Sequence, residues 1–488
     1  MGCDVGSQGV NSSLFTLDGR HIDSAYSGYE SSFPRPGWAE QDPQLWLEAV
    51  ATTVRRLMAT LDASRAAVRS LSFGSQLDGV VLCGADGAPL RPAIIWLDRR
   101  ATTQAERVAA RISPEDFYRA SGVNLDSSHG VFKALWVRSE ESAVFQATGS
   151  LLTPGSYVLR HASGELAVDY SNASSLGLLD PRRLEWSPGL LDAAALDKEL
   201  LPALVPATTD VGTVTPEFAE ACGLDPATRV ACGCGDEMAA TLGAGVHAAG
   251  EVCDITGTAE PVCAVSSEPL ADPARLVECH PHALPGLWLL ENPGFVSGGN
   301  LRWWRDNFSP ASQGYDALTA AAAEVPPGAD GVVFLPCMQG STAPEWNDHA
   351  RGAFIGLTLA HSHGHLTRAI LEGSAFALRD IVTAMRQAGL EARRITAVGG
   401  GARSRLWRQI KADVTGLPVQ VPSNVETTAT GAAILAASAV EPETEVAAVA
   451  ERFVSYESDE QRPDPALRQD YDAAYAAYRG HYAALYER

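Results

Sequence analysis

Two short segments, half a chain apart, resemble each other, and they limit the possible folds more than any other feature of this sequence. Residues 3–8 read CDVGSQ and lead into SLFTL at 13–17, whereas residues 253–258 read CDITGT and lead into PVCAV at 261–265. Each segment has the pattern of a strand, a tight polar turn and a second strand, which predicts a β-hairpin. One hairpin near the start of each half predicts two domains of duplicated architecture.

The rest of the chain supports this division. Its 488 residues exceed what a single hydrophobic core usually supports. Strand-like and helix-like segments alternate, with glycine turns between them, so the predicted fold class is α/β. We predict strands at 70–73, 79–83, 331–335, 395–398 and 417–421, and helices at 46–61, 366–388, 430–437 and 471–478. The segment 244–250, AGVHAAG, is poor in bulky residues, so we expect domains at 1–243 and 244–488.

Charge and cysteine content narrow the classes of function. A formal net charge of −22 disfavours binding to nucleic acid or to an anionic membrane, although it leaves room for a small substrate in a local site. The first residues show neither a basic region nor a long apolar run, so we expect no secretion signal. The nine cysteines are scattered, which is typical of reduced thiols and predicts a cytoplasmic protein.

One segment cannot be explained as ordinary packing. Residues 231–245 read ACGCGDEMAATLGAG, with Asp236 and Glu237 set among small and apolar residues. A buried carboxylate is costly unless it is paired or has a chemical role. Asp236 is therefore a candidate site residue, and a helix N-cap is the structural alternative.

Three glycine-containing turns could hold a nucleotide. The first follows Asp4 at the end of a predicted strand, where a carboxylate could bind Mg²⁺ through water. The second is Thr256-Gly-Thr258, at the matching place in the later hairpin, and the third is VGGGARS at 398–404. The third lies between a strand and a helix, where backbone amides favour an anion. Plain hairpin and flexible turns remain alternatives for each of them.

Taken in order, a set of motifs resembles the FGGY-type carbohydrate kinases, and most of all their xylulokinase branch. The motifs run over nearly the whole length of the chain: DVGSQ at 4–8, PGWAEQD at 36–42, PLRPAIIWLDRR at 89–100, GCGD at 233–236, ARGAFIGL at 350–357, LEGSAFALR at 371–379, GGGARS at 399–404 and LWRQ at 406–409. Each motif alone is weak, whereas their order and spacing are specific.

The resemblance implies two actin-like domains, of the ribonuclease-H-like type, with a cleft between them. It also implies that ATP, with Mg²⁺, donates its γ-phosphoryl group to a hydroxyl of a small sugar or polyol, and it leaves a homodimer open. By position in the motifs, Asp236 is the general base and Asp4 supports the metal ion. The substrate side comprises Gln76, Leu77, Asp78, Asp236 and Glu237, and the nucleotide side comprises Ser7, Gln8, Gly257, Thr258, Gly298, Gly400 and Ser404.

Four departures from the family pattern, at five positions, bear on the substrate. Leu77-Asp78 replaces a usual Met-His, Leu97 stands where Asn is usual, Glu237 follows the base, and Asn11 replaces a basic residue. An ionised Asp only accepts hydrogen bonds, which suits paired hydroxyls. A cluster of Asp78, Asp236 and Glu237 would also raise the pKa of one of its carboxyl groups.

These observations allow the possible functions to be ranked. A ketopentose, with xylulose first, is the expected substrate, and a sugar alcohol or another ketose of the ribulose, erythritol or glycerol type is the alternative. From another class, the same fold could serve a nucleotide-dependent binding protein without catalysis. Asp236 separates these hypotheses, because a binding protein has no use for a base facing the hydroxyl pocket.

Overall fold

The computed structural model describes residues 1–61, 68–310 and 314–487. The strands are β1 Gly2–Val5, β2 Gly9–Phe15, β3 His21–Gly28, β4 Glu40–Gln41, β5 Ser70–Ser75, β6 Val81–Cys83, β7 Ala93–Ile94, β8 Ser150–Leu152, β9 Ala167–Asp169, β10 Leu179–Asp180, β11 Glu185–Trp186, β12 Ala203–Val205, β13 Asp210–Thr213, β14 Arg229–Ala231, β15 Cys234–Gly235, β16 Glu251–Ile255, β17 Val262–Ser266, β18 Glu278–Pro281, β19 Trp288–Asn292, β20 Val333–Leu335, β21 Ala353–Ile355, β22 Arg394–Val398 and β23 Val419–Gln420.

The α-helices are α1 Pro43–Thr60, α2 Thr102–Ala109, α3 Pro114–Ser121, α4 Gly130–Glu140, α5 Ser142–Gln146, α6 Pro154–Ser163, α7 Tyr170–Ser175, α8 Pro188–Ala194, α9 Pro216–Cys222, α10 Asp236–Gly243, α11 Gly298–Phe308, α12 Tyr315–Ala323, α13 His363–Gln387, α14 Arg405–Thr415, α15 Thr427–Val440, α16 Val446–Phe453 and α17 Arg468–Tyr486. Short 3₁₀ turns lie at Lys198–Leu200, Ala329–Gly331, Gly400–Arg403 and Pro465–Leu467.

Two mixed sheets form the centres of the two halves. The first has the strand order β13-β14-β5-β1-β2-β3, with β15 also paired to β5, and the second has the order β18-β19-β17-β16-β22-β23. In the first, β1 runs antiparallel to β2 and parallel to β5. In the second, β16 runs antiparallel to β17 and parallel to β22. The two hairpins predicted from the sequence therefore occupy equivalent places in sheets of the same design.

Several elements begin or end away from their predicted residues, for local reasons. Helix α1 starts at Pro43 rather than at residue 46, because the Asp42 side chain caps the Gln44 amide and Pro43 fits the first turn. Strand β20 starts at Val333 rather than at 331, because a 3₁₀ turn with Gly331 at a φ of 89° precedes it. Helix α15 extends from 427 to 440, beyond the predicted 430–437.

A helix from the second half packs against the first sheet. Helix α15 contacts α10, β1 and β5. A Cβ atom at Gly431 would lie 1.9 Å from the carbonyl oxygen of Ala239, so only glycine allows the helices to approach this closely. Buried side chains of α10, α15 and β17 share one apolar cluster. The two halves are thus joined through α10, whose first residue is Asp236.

Within residues 1–61, 68–310 and 314–487, none of the helices is both long and apolar enough to cross a membrane.

Candidate active site

Asp236 is the first residue of α10, and Gly235 occupies the N-cap position. Its side chain is partly exposed, and its Oδ1 accepts the Glu237 amide at 3.0 Å. In the described part of the chain its Oδ2 has no hydrogen-bond donor, so one carboxylate oxygen remains available. Burial, followed by the charges of Glu237 and Asp4, raises the pKa of Asp236 well above its usual range. A carboxylate with these properties can take up a proton.

Asp4 lies at the end of β1, beside the turn predicted to approach phosphates. Its side chain is partly exposed, and burial together with the charge of Glu426 raises the pKa of Asp4 to about 7. The Asn11 side chain donates a hydrogen bond to Glu426, which precedes α15. The unusual Asn11 therefore joins the first hairpin to the second half of the chain, a contact that the sequence did not reveal.

In the first turn, residues 6–9, neighbouring groups donate to the carbonyl oxygens, while the Ser7 and Gln8 amides are left without a backbone acceptor among the described residues. The Tyr29 hydroxyl donates to the Gly6 carbonyl, and Gln41 Nε2 donates to the Ser7 carbonyl at 2.7 Å. The Tyr26 hydroxyl donates to the Gln8 carbonyl at 2.9 Å. This arrangement suits an anion, which only accepts hydrogen bonds.

The predicted substrate turn follows β5. Gln76 is buried, and its Nε2 donates to Gln41 Oε1 at 2.9 Å, while its own Oε1 has no donor among the described residues. Leu77 packs against Gly235, directly before the base. Asp78 adopts a φ of 57°, and its Oδ1 lies 2.9 Å from His129 Nδ1. The substrate turn therefore lies beside Asp236, and the imidazole of His129, directly before α4, contacts it.

His129 is the first of a row of contacting imidazole and carboxyl side chains that the sequence analysis did not predict. His129 Nε2 lies 3.7 Å from Glu278, and His280 Nε2 lies 3.6 Å from Glu278 and 3.4 Å from Glu291. Burial opposes a charged His129, but Asp78 and Glu278 outweigh it and raise its pKa well above the usual value. Since these groups come from distant strands and loops, no local pattern could have predicted them.

Glu291, the last side chain of this row, interacts with Glu237. Burial and the charge of Glu237 raise the pKa of Glu291 well above its usual range. Burial also raises the pKa of Glu237, whereas hydrogen bonding to Glu291 opposes that shift. Glu237 and Glu291 therefore form a pair of interacting buried carboxyl groups, in which burial and the neighbouring charge favour the neutral form of Glu291. The predicted cluster of interacting carboxyl groups thus includes Glu291, a residue of the second sheet.

A cavity of about 430 Å³ lies in the second half of the molecule. It brings together five of the seven residues predicted for the nucleotide: Gly257, Thr258, Gly298, Gly400 and Ser404. Ser7 and Gln8 lie in the first turn instead. Nine further residues complete the cavity: Thr256, Leu301, Arg302, Tyr315, Asp316, Thr319, Gly401, Arg403 and Trp407. Thr256, Gly401 and Arg403 belong to the turns that the sequence analysis proposed for a nucleotide, although no individual role was predicted for them. Asp236 is not part of its wall.

The second turn, Thr256 to Thr258, is packed tightly into this cavity wall. The Thr258 carbonyl accepts the Ser297 and Gly299 amides, each at 3.1 Å. A Cβ atom at Gly298 would lie 2.3 Å from the Gly257 carbonyl oxygen, which explains the glycine there. Arg302 Nη2 donates to Thr258 Oγ1 at 2.6 Å, so a cation stands at the turn. A Cβ atom at Gly400 would contact nothing within 4 Å, because that backbone faces open space.

The site residues fit a nucleotide and a magnesium ion. The cavity has the size of a small-ligand site, with glycine backbone, Arg302 and the Tyr315 ring in its wall. No group of three metal-ligating side chains occurs within the described ranges. Magnesium usually takes one or two carboxylates and completes its shell with water and phosphate oxygens. Asp4, which accepts no hydrogen bond within the described residues, suits that role.

Comparison with known proteins identifies the family of this chain. The N-terminal domain of the FGGY family of carbohydrate kinases matches residues 1–243, and its C-terminal domain matches residues 254–440. The chain belongs to the FGGY family of carbohydrate kinases. It is accordingly an ATP-dependent sugar kinase with the two-domain, actin-like fold of that family, as the motifs predicted.

Relatives with different substrates are similar to this kinase. A xylulose kinase from Escherichia coli (strain K12) is 33% identical over 445 residues, which cover 91% of this chain and 90% of the relative. A gluconokinase from Bacillus subtilis (strain 168) is 30% identical over 446 residues, which cover 89% and 86%. The crystal structure of xylulose kinase from Rhodospirillum rubrum superposes with a TM-score of 0.93 at 32% identity, covering 99% of this chain and 98% of that one. The family is thus fixed, and the particular sugar is a separate question.

Proposed function

We propose that this kinase transfers the γ-phosphoryl group of ATP to a hydroxyl of a ketopentose, with xylulose as the first candidate. The similarity to xylulose kinases supports this choice of substrate. One observation carries the proposed chemistry: Asp236 is partly exposed and holds a single amide donor, so that one oxygen and a raised pKa remain for proton transfer.

The proposed reaction uses Asp236 as a general base. The hydroxyl proton passes to its free oxygen as the hydroxyl oxygen attacks the phosphorus, and the bond to ADP breaks. Phosphoryl transfer depends mainly on positioning and on stabilising charge, so a single base is sufficient. The raised pKa makes Asp236 a stronger base than a fully exposed aspartate, which favours transfer of the hydroxyl proton to it.

The two turns divide the binding of the triphosphate. The amides of Ser7 and Gln8 would face the terminal phosphates from one side, and Gly257 and Thr258 would face them from the other. Asp4 would hold Mg²⁺, which supplies positive charge to the phosphate oxygens when bound. Gly298, Gly400 and Ser404 border the cavity and would contact the ribose and the base.

The substrate pocket suits an uncharged molecule. Five carboxyl groups lie in or near the substrate turn, those of Asp78, Asp236, Glu237, Glu278 and Glu291, and they outnumber the two imidazoles, of His129 and His280, that lie among them. An aldonate, the substrate type named for the gluconokinase relative, would bring its own carboxylate into this acidic surrounding. The second oxygen of Asp78 accepts no hydrogen bond in the described structure, which favours a hydroxyl-rich substrate and keeps a sugar alcohol as the second candidate.

The proposal also covers the roles of the two domains, the cellular setting and the partners. We assign residues 1–243 to a sugar-side domain and residues 244–488 to a nucleotide-side domain. The nine cysteines are all buried and unpaired, which supports a cytoplasmic setting. The proposed partners are the small-molecule substrates alone, and a homodimer is the assembly to test.

The test is Asp236→Asn, which keeps the shape of the side chain and removes the base. We expect kcat to fall about 100-fold or more, while ATP binding measured by calorimetry stays unchanged. The exposed Asp192→Asn is the matched control and should turn over as the wild type does. Full activity of Asp236→Asn would refute the role of the base.

The substrate assignment needs a separate test. Coupled ADP assays with xylulose, ribulose, a pentitol, glycerol and gluconate should give the highest kcat/KM for xylulose and the lowest for gluconate. A preference for the pentitol would favour the second candidate. Preference for gluconate would contradict the argument from the acidic pocket, and ATP hydrolysis that ignores every sugar would favour a binding protein.

A further inference from the structure

A buried lysine lies beneath the second turn, on the side away from the cavity. Lys411 belongs to α14, and only 2% of it is exposed. Its ammonium group donates to Asp254 Oδ2 at 2.5 Å and to Thr256 Oγ1 at 2.6 Å. It also lies 3.0 Å from Glu260 Oε1. All three partners are fully buried, at 1% exposure or less, so the group is sealed from solvent.

These three partners lie in one segment, 254–260, that contains the second turn. Asp254 is the penultimate residue of β16, Thr256 lines the cavity, and Glu260 lies two residues beyond the turn. Glu260 also accepts a hydrogen bond from the Ser297 hydroxyl, and Ser297 precedes α11. The lysine itself lies two turns into α14, whose N-cap is Ser404. One ammonium group therefore joins the turn, the start of α11 and the start of α14.

The charges in this group are nearly balanced. Burial disfavours the ammonium form of Lys411, but Asp254 and Glu260 outweigh it and raise its pKa. Burial and the charge of Asp254 raise the pKa of Glu260 to about 8. Burial and the charge of Asp254 thus favour the neutral form of Glu260, beside the ion pair of Lys411 and Asp254. Because a buried ion pair adds little net stability, its best-supported use is to specify geometry.

We propose that Lys411 is a positioning residue for the nucleotide, and that it sets the spacing of the second turn, the start of α11 and the start of α14 around the cavity. The inference rests on the proposed function in one respect, namely that the cavity binds ATP and ADP. Lys411 is separated from the cavity by Thr256, so it acts through the backbone and does not touch the ligand.

Two variants test this role without leaving a buried charge alone. The double variant Asp254→Asn/Lys411→Met removes the ion pair as a unit. Thr256→Val keeps the ion pair and removes the turn's hydroxyl, which accepts from Lys411 and donates to Asp254 Oδ1 at 3.1 Å. We expect the ADP dissociation constant and the KM for ATP to rise about tenfold in the double variant and about threefold in Thr256→Val. The kcat at saturating ATP and the KM for the sugar should change less than about twofold.

A second buried lysine provides a crossed control. Lys133 Nζ donates to the Asp78 carbonyl at 2.6 Å in the substrate turn. Lys133→Met should therefore raise the KM for the sugar and leave ADP binding unchanged. A merely structural lysine would alter the melting temperature without this separation between the two ligands.

The result that overturns the proposal is clear. If the double variant and Thr256→Val both bind ADP as tightly as the wild type, Lys411 does not position the nucleotide. ADP binding is measured by calorimetry without turnover, so this test holds even if no sugar is phosphorylated. Failure of the proposed function would instead appear as wild-type protein that binds ADP but phosphorylates none of the sugars.

Discussion

The two hairpin turns begin with the same residues, Cys-Asp, and the two aspartates have opposite environments. Asp4 is partly exposed, has no cationic partner within 4 Å among the described residues and has a pKa of about 7. Asp254 is fully buried and forms an ion pair with Lys411 at 2.5 Å. Equivalent positions in the two sheets thus have different surroundings: one carboxylate is free for the metal site proposed above, and the other is fixed in a buried ion pair.

The side chains that hold the two turns in place also differ in charge. Uncharged side chains, from Gln41, Tyr26 and Tyr29, hold the carbonyl groups of the first turn from the outside. A buried charged group holds the second turn from beneath. The comparison teaches that a local motif fixes the path of the backbone, whereas neighbours from elsewhere decide the charge of its acid.

The largest expected effect comes from exchanging each aspartate for asparagine. Asp4→Asn should lower kcat about 100-fold by weakening the metal site. Its unfolding free energy at pH 8 should stay equal or rise, because a carboxyl group with a raised pKa destabilises the folded state once it ionises.

Asp254→Asn should show the opposite pattern. It should lower the unfolding free energy by about 3 kcal/mol, because it breaks a buried pair, and it should raise the KM for ATP more than it lowers kcat. Steady-state kinetics and denaturant unfolding of both variants measure this contrast. Similar behaviour of the two variants would remove the distinction between the turns.

A smaller effect, on the KM for ATP, is expected when either of two glycines of the cavity wall is replaced by alanine. Gly298→Ala should raise the KM for ATP about tenfold, since its Cβ atom would lie 2.3 Å from the Gly257 carbonyl oxygen and push the second turn. The Cβ atom of Gly400→Ala would face open space, so this variant should raise the KM for ATP about twofold at most. Equal effects would show that the second turn is not rigidly packed.

The smallest effect concerns the pH dependence of the first turn. Since a proton competes with Mg²⁺ for Asp4, the Mg²⁺ concentration for half-maximal activity should rise as the pH falls below about 7. Glu426→Gln removes a charge that raises the pKa of Asp4, so the onset should move to lower pH. Activity at several pH values and Mg²⁺ concentrations measures the shift, with exposed Glu443→Gln as the control. An unchanged onset in Glu426→Gln would mean that Asp4 does not control metal binding.

Much of the fold was predictable because its signals are local. The two hairpins, the glycine turn before α14 and the strand–helix alternation depend on residues within a few positions of each other. The family followed from motifs in order along the chain. Element ends were predicted less well, as for α1, because its first turn is set by the Asp42 cap and Pro43, which lie outside the apolar repeat of the helix.

The surroundings of the site were not predictable in this way. Asn11 and Glu426, which meet at the first turn, stand 415 residues apart. His129 reaches Asp78 from the start of α4, and Glu291 reaches Glu237 from the second sheet. None of these residues stands in a pattern that indicates its partner, and Lys411 reads as an ordinary helical lysine.

By itself, the sequence determined the duplicated α/β architecture, the glycine turns and the carboxylate at position 236, because backbone dihedrals and hydrophobic periodicity are properties of short segments. Only the tertiary structure decided which acids are free, paired or protonated. The physical reason is that the pKa of a carboxyl group depends on burial and on charges within a few ångströms, and in this protein those charges come from residues as far away along the chain as Lys411 is from Asp254, 157 positions.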